Sequence, residues 1–525
     1  MRPKGAGLTV RELVLGCSFL FALCPLTARA ALAQDRPVTA ADRITADVLL
    51  HRIGTLAHDS MGGRDTPSPE LERTAAWLAA EFQRFGLAPG GGDGSFIQRF
   101  PLHRARIVPA RSLLSIGGSE RLDLQSDVAW VTGGRGGDAG GKVVVLAGPQ
   151  EASRLEAVGV RGATVLVLAR TTPQGSLPPQ AQILLSELLR QQVGVVVFVA
   201  NFADSVWTRY GTQQRRAMLS APWQDTEMAP VLVARDSALA PILARQGVDV
   251  AAIRGSGATY LSAVPDLSIT ATIATEVLET VDAPNVIGIL PGADPALRDE
   301  YVVYTAHMDH IGIAGSESGC RAQGEDTICN GADDNASGTA VIITIAEALA
   351  AGGPRPRRSI AFVLVSGEEH GLRGSDWFAR SPPDPIGRID RMIAALNADN
   401  VARNRPDALF AIGRRDSDLG VALQRVAAAH EELGFSLLDL PAGQEGAYYR
   451  SDHYSFARRG VPAIFFSTGI HADYHQASDE VGRVDADKAA RIGRLMLHLG
   501  RDIADADARP RWEPESARRI VMPTR

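Results

Sequence analysis

Lysine is almost absent from this 525-residue chain, standing only at Lys4, Lys142 and Lys488, and no run of like charge interrupts the mixed background of 54 basic and 60 acidic side chains. The formal charge is −6, so the basic footprint of a nucleic-acid binder is missing, and an anionic membrane surface is excluded as a favoured partner on the same ground. The preference for arginine over lysine reads as genome composition and carries no functional message. Beyond the N-terminus no apolar stretch approaches the ~20 residues of a membrane span. No internal repeat of the ~20–50 residue class is visible. What remains is an ordinary globular mixture, 45% hydrophobic and 22% charged, which excludes collagen-like, coiled-coil and wholly disordered chains. The length suggests about two or three domains.

Cysteine is scarce as well, with four in the chain. Two of them, Cys17 and Cys24, fall in an N-terminal segment built as a secretory signal peptide. It has a basic start (Arg2, Lys4, Arg11), an apolar run over 13–26, and the small-residue steps Ala28-Arg29-Ala30 and Ala31-Leu32-Ala33. Gly16 and Pro25 break the run too often for an anchor, and Cys17 stands at the start of it, where a lipoprotein cysteine would stand at its end. Cleavage after Ala30 or Ala33 is expected, residues 1–33 being the leader, with a secreted or periplasmic product and no stable membrane insertion. Cys320 and Cys329 then remain, with eight residues between them, in a compartment where disulfides persist; a local bridge is the expectation.

Three stretches differ in pattern. From Ser68 and Pro69, apolar residues recur at Leu71, Ala75, Leu78, Phe82 and Phe85 before Gly86, the signature of an amphipathic helix with a proper start and stop. Between about 142 and 259 short β-branched runs (143–146, 163–168, 195–199, 231–233) alternate with helical segments and bring no clustered metal-ligand types. After Asn285, continuous apolar strands end in polar residues: 301–306 into His307, 360–365 into Glu368 and Glu369, 392–396 into Asp399, and 463–466 leading towards His475. Strands of that kind alternating with helices (337–351, 485–503) predict an α/β fold, a mixed, mostly parallel sheet sandwiched by helices. Ligands of such sheets bind beyond the carboxyl ends of the strands, where these polar residues fall. The domain plan is therefore 34–115, the N-terminal part of a catalytic domain; 116–265, a smaller insert; 266–505, the catalytic remainder; and 506–525, a loosely ordered tail.

Seven of 11 histidines lie between 307 and 475, several beside carboxylates: His307-Met308-Asp309, Asp333-Asp334-Asn335, Glu368-Glu369-His370, Asn397-Ala398-Asp399 and Tyr474-His475. Any one of these is more often a solvated loop than a site. Together at strand ends they are costly unless cations compensate. Imidazole and carboxylate suit Zn²⁺, and two ions need a bridging carboxylate with one nitrogen and one oxygen ligand each. Asp309 can orient His307 from the same strand face, and of two adjacent acids one can bind metal while its neighbour carries a proton.

These strings, with Asn330-Gly331-Ala332-Asp333-Asp334-Asn335-Ala336-Ser337-Gly338, Ser366-Gly367-Glu368-Glu369-His370-Gly371-Leu372-Arg373-Gly374-Ser375 and Ser451-Asp452-His453 in order, resemble the M28 family of dizinc aminopeptidases over about 38–106 and 270–505. The segment between them is similar to the protease-associated (PA) insert of bacterial members. The resemblance implies a zinc-peptidase fold and two zinc ions per chain. Asp334 would be the bridge, His307 and Asp399 would hold one ion, and Glu369 and His475 the other. Glu368 would be the general base, and a cis peptide would fall at Asp334-Asn335. The carbonyl-polarising tyrosine matches either Tyr474 or Tyr448. His370 is not expected to ligate; His453 is expected to support the site by hydrogen bonds, and His310 and His471 to line the cleft. Trp377 and Phe378 read as helix core.

The function implied is a metalloaminopeptidase that takes peptide substrates through a dizinc-activated water. A carboxypeptidase on the same scaffold would need cations for a terminal carboxylate, for which Arg450 and Arg373 are near in sequence. The pattern could also belong to a single-zinc glutaminyl cyclase or to a binding protein that has lost activity; the complete ligand inventory with Glu368 speaks against both.

Overall fold

Four strands buried along their whole length lie parallel in the order Ala463–Ser467, Met392–Ala398, Tyr301–His307 and Ser359–Val365. Their side chains are apolar at consecutive positions because both faces are covered. Val302, Tyr304 and Ala306 join the core on one face, while Tyr301 and Val303 join that on the other. In this computed structural model the described residues are 38–124, 126–134, 138–170, 180–214, 216–223, 228–315 and 319–522; the expected leader, with Cys17 and Cys24, lies outside them.

On either side of the four central strands the sheet turns antiparallel. Beyond Ser359–Val365 come Thr275–Leu290, Ile97–Ile107 and Met218–Ser220; beyond Ala463–Ser467 come Ala408–Ile412 and then, parallel to it, Ser436–Leu438. The parallel character read from the sequence belongs to the strands that carry the polar ends, and the chain is of the mixed α/β class.

The helices Ala46–Leu56, Pro69–Arg84, Gly338–Ala350 and Ala486–Asp505 share the core on one face. Their starts follow local chemistry: the Ser68 hydroxyl accepts the Leu71 N–H ahead of Pro69, and Asp485 accepts the N–H of Lys488. The last of these helices approaches the sheet closely at Gly500, where a Cβ would fall 1.8 Å from the Tyr304 hydroxyl. The opposite face is covered by Arg373–Arg380, His453–Ala457 and Pro514–Ile520. That last helix corrects the expectation of a loose C-terminal tail. Arg519 donates to Asp416 at 2.6 Å, the Trp512 indole donates to the Gly460 carbonyl at 2.9 Å, and Ile520 is buried.

A second, eight-stranded sheet draws its strands from Leu113 to Thr272. Its centre is four parallel strands, Asp138–Ala147, Thr164–Leu168, Val195–Ala200 and Val231–Arg235, with apolar cores on both faces. One strap from this region crosses to the first sheet. Met218–Ser220 pairs with His103–Ala105, and Trp223 packs on Trp377 (ring centroids 4.7 Å apart) while donating its indole N–H to Asp376 at 2.8 Å. Among the described residues no helix is long and apolar enough to cross a membrane.

Candidate active site

The carboxyl ends of the four parallel strands deliver the polar residues to one place. His307 closes its strand; Glu368 and Glu369 follow Ser359–Val365 through a turn; Asp399 follows Met392–Ala398; and the loop after Ala463–Ser467 brings His471, Tyr474 and His475. Asp334 lies in the turn Ala332–Ser337, and its peptide bond to Asn335 is cis. His475 adopts φ 57°, unusual for a residue with a Cβ, which the surrounding contacts hold in place.

His307 Nε2 is 3.4 Å from Asp334 Oδ1, 3.4 Å from Asp399 Oδ1 and 4.0 Å from Glu368 Oε2. His475 Nε2 is 3.2 Å from Asp334 Oδ2 and 3.1 Å from Glu369 Oε2. The two oxygens of Asp334 thus face different imidazoles. Donor atoms of His307, Glu368 and Asp399, and of His307, Asp334 and Glu369, lie within 4.8 Å of one another in each group.

The arrangement asks for a cation. His307 Nδ1 faces the Asp309 carbonyl oxygen at 3.1 Å; donating there leaves the Nε2 lone pair pointing at carboxylate oxygens, and Nε2 is buried without a hydrogen-bond partner. His475 Nε2 is likewise buried and unbonded. Buried carboxylates facing an imidazole lone pair call for a positive charge between them, a proton on the nitrogen or a metal ion, and this nitrogen and oxygen set suits zinc.

Burial opposes charge on every member, and neighbours decide the outcome. Burial would lower His307, but Glu368 and Asp399 outweigh it and hold the imidazole well above its ordinary value. Burial would raise Glu369, yet the His310 hydrogen bond and the facing His475 imidazole hold it well below the usual range. Glu368 has no such donors, so burial, reinforced by Glu369 and Asp399, drives it well above. Two adjacent glutamates are thereby split into one that stays anionic and one that can hold a proton.

Asp309 reaches His307 through its backbone, its carboxylate Oδ1 standing 3.7 Å from Nδ1. The other carboxylate oxygen accepts the Thr66 hydroxyl (2.9 Å) and the Gly367 N–H (2.8 Å), which fixes the entry to the Glu368 turn. Ser451 donates to Asp399 at 2.7 Å. The two candidate tyrosines separate clearly. Tyr474 stacks on His475 at 3.9 Å and lies in the field of Asp334, Glu369 and Glu368, which with burial raises its hydroxyl. Tyr448 is buried against Tyr449, Tyr454 and His453, its hydroxyl unbonded, and the charges that reach it are Asp416 and Arg519. The structure therefore does not bring Tyr448 to the acid cluster, because the turn Glu445–Tyr449 turns it into the apolar layer under the sheet.

His310 and His471 do not line a cleft. Both are buried behind the acids, His310 bonded to Glu369 (2.8 Å) and His471 3.3 Å from Asp333. His453 packs against Phe465 and Tyr448, and burial pulls it down to about 3. His370 pairs with Asp65 at 3.1 Å. Residues that sequence reasoning passed over are Arg64, Thr66 and Asp479. Gly62-Gly63 ahead of Arg64 was the available signal: a Cβ on Gly63 would stand 2.4 Å from the Gly312 carbonyl oxygen and 2.5 Å from that of Cys329. Cys320 and Cys329 form a disulfide, Cα atoms 5.9 Å apart, beside this contact. A cleft of about 970 Å³ opens at the site, with Glu369 to Arg373 on one wall and Thr208, Thr212, Arg216 and Met218 on the other.

Comparison with known proteins agrees with this geometry. Residues 285–500 match the model of peptidase family M28. A "Probable zinc metalloprotease" of Pyrenophora tritici-repentis is 28% identical over 223 residues, 34% of this chain and 45% of that protein. "Aminopeptidase YwaD" of Bacillus subtilis is 22% identical over 250 residues, 46% of this chain and 49% of that protein. The chain spans about half the length of the curated relatives it matches. Among solved structures, an aminopeptidase from Aneurinibacillus sp. strain AM-1 aligns over 92% of this chain and 97% of its own at 18% identity, with a TM-score of 0.46. The segment that matches peptidase family M28, residues 285–500, is the one that holds His307, Asp334, Glu368, Glu369, Asp399 and His475.

Proposed function

We propose that the protein is an exported zinc metallopeptidase that removes N-terminal residues from peptides. The observation that carries the reading is the pair of buried, unbonded imidazole nitrogens, His307 Nε2 and His475 Nε2, each facing carboxylate oxygens at 3.1–3.4 Å. His307 and Asp399 would hold one ion, His475 and Glu369 the other, with Asp334 shared. Bound zinc would supply Lewis acidity to a scissile carbonyl and lower the pKa of water in the site. Glu368 takes the proton of the attacking water and returns it to the leaving amine. Asp309, through Gly367, keeps that carboxylate in place, and the Tyr474 hydroxyl donates to the developing oxyanion. The free α-amino group of the substrate finds its counter-charge in Glu368 and Asp399.

The segment 116–265 acts in this reading as a PA-like insert that walls the cleft and admits short peptides. Residues 1–33 direct export, and the Cys320–Cys329 disulfide suits an oxidising compartment. The test compares a free-amine aminoacyl reporter with its N-acetylated form, with and without chelator, alongside zinc analysis. Chelator-sensitive cleavage of the free amine only, with close to two zinc ions per chain, is expected. Equal cleavage of both forms rejects the aminopeptidase assignment. A carboxypeptidase is favoured by one observation, that Arg216 and Arg373 line the cleft beside Glu369, and it would show as a requirement for a free C-terminal carboxylate.

A further inference from the structure

Asp479, four residues beyond His475, is fully buried, and its carboxylate accepts backbone amides of the turn that carries Asp334. Oδ2 accepts the N–H of Asp333 and the N–H of Asp334, each at 3.0 Å, and Oδ1 stands 3.2 Å from the same Asp333 nitrogen. The Asp479 carbonyl accepts the Ala332 N–H at 3.0 Å. Three consecutive amides of the turn therefore end on one residue. Arg403, in the segment that follows Asp399, reaches within 3.6 Å of Oδ1. From the other side Asp333 Oδ1 accepts the Ala402 N–H (2.7 Å) and the Ser337 hydroxyl (3.0 Å). The turn is gripped from both flanks while the Asp334 side chain is left to face His307 and His475.

We propose that Asp479 is a positioning residue: by accepting the amides of Asp333 and Asp334 it forms the turn Ala332–Ser337 in advance, so that the two Asp334 oxygens already face the two histidines before any ion arrives. An acceptor-only group is required, because both partners are N–H donors; the Nδ2 of an asparagine would oppose one of them. Residues that orient metal ligands in this way typically govern affinity by about 10–100-fold. The inference uses the metallopeptidase reading only for the choice of zinc as probe.

The test is made on the full chain with Asp479→Asn and Asp479→Ser, titrating zinc against a chromophoric chelator and following thermal unfolding of the zinc-free protein. Since Asp334 is shared, the affinity for both ions should fall together by about 10–100-fold, with zinc-free unfolding within a few degrees of wild type. Unchanged zinc affinity, or a loss explained by an equal loss of zinc-free stability, overturns the proposal. Should neither variant fold, hydrogen exchange of wild type decides: amides of 332–337 should exchange as slowly without zinc as with it, and rapid exchange in the zinc-free protein would show that the ion forms the turn. If wild type itself binds no zinc, the metallopeptidase reading falls, while the exchange measurement still decides this one.

Discussion

The guanidinium of Arg64 donates through Nε to the carbonyl of Met308 at 2.9 Å, the residue between His307 and Asp309. Nη1 donates to the carbonyls of Leu56 (2.6 Å) and Asn330 (2.7 Å), and Nη2 to that of Gly331 (3.1 Å). One buried cation thus ties the N-terminal segment to the loops that carry the candidate ligands His307 and Asp334. Burial pulls it down to about 10, so it stays charged at neutral pH. Lysine keeps the charge but not the planar fork, so Arg64→Lys should cost about 2–4 kcal/mol in denaturant-induced unfolding. A loss below about 0.5 kcal/mol would show that the fork is dispensable.

The two adjacent glutamates should fail in different ways. Glu368→Gln should keep its zinc by elemental analysis and lose about 10²–10⁴ in kcat. Glu369→Gln removes an oxygen that faces His475 at 3.1 Å and should release zinc to a weaker chelator than wild type does. Near-normal turnover in the first variant would assign proton transfer to another group.

The loop closed by Cys320 and Cys329 lies between His307 and the turn carrying Asp334, with Cys329 N–H bonded to the Gly312 carbonyl at 2.9 Å. So short a closure should contribute less than ~3 kcal/mol. Reduction should therefore raise proteolytic nicking within 311–330 or KM more than it lowers the unfolding temperature. Alkylation of two free thiols in the unreduced protein would contradict this.

Away from the site, His498 stacks on His430 (ring centroids 3.7 Å), and burial together with that neighbour pulls it down to about 4. The unfolded chain, titrating near the ordinary 6.5, binds the proton more readily between these values. Stability should therefore decline as pH falls from about 6.5 towards 4, and His498 should contribute nothing to pH dependence above that window. His498→Phe should flatten that limb of the stability profile; an unchanged slope would place the acid sensitivity elsewhere.

The apolar strands that run into His307, Glu368 and Asp399, and the one that leads towards His475, were legible because complete burial writes itself as consecutive apolar residues, and the candidate ligand types follow those runs. The same holds for the helix Pro69–Arg84, whose cap and period are local. What stayed hidden depends on contacts with no local period. Arg64 meets Asn330 266 positions away, Asp479 meets Asp334 145 away, and Trp223 meets Asp376 153 away. The choice between Tyr474 and Tyr448 was of this kind, as was the packing of Ile520 against the sheet's second face. His310 and His471 were misplaced because a run of acids in a sequence does not show how many donors its burial demands.

The strap Met218–Ser220 has a bearing on solubility. The first sheet ends at one side in this three-residue strand and at the other in the equally short Ser436–Leu438, neither long enough to template a foreign strand. Were the strap to lift, the eleven residues of Ile97–Ile107 would become the outermost strand along that side, a far longer row of free amides and carbonyls. The short crossing from the second sheet therefore also guards the protein against edge-to-edge aggregation.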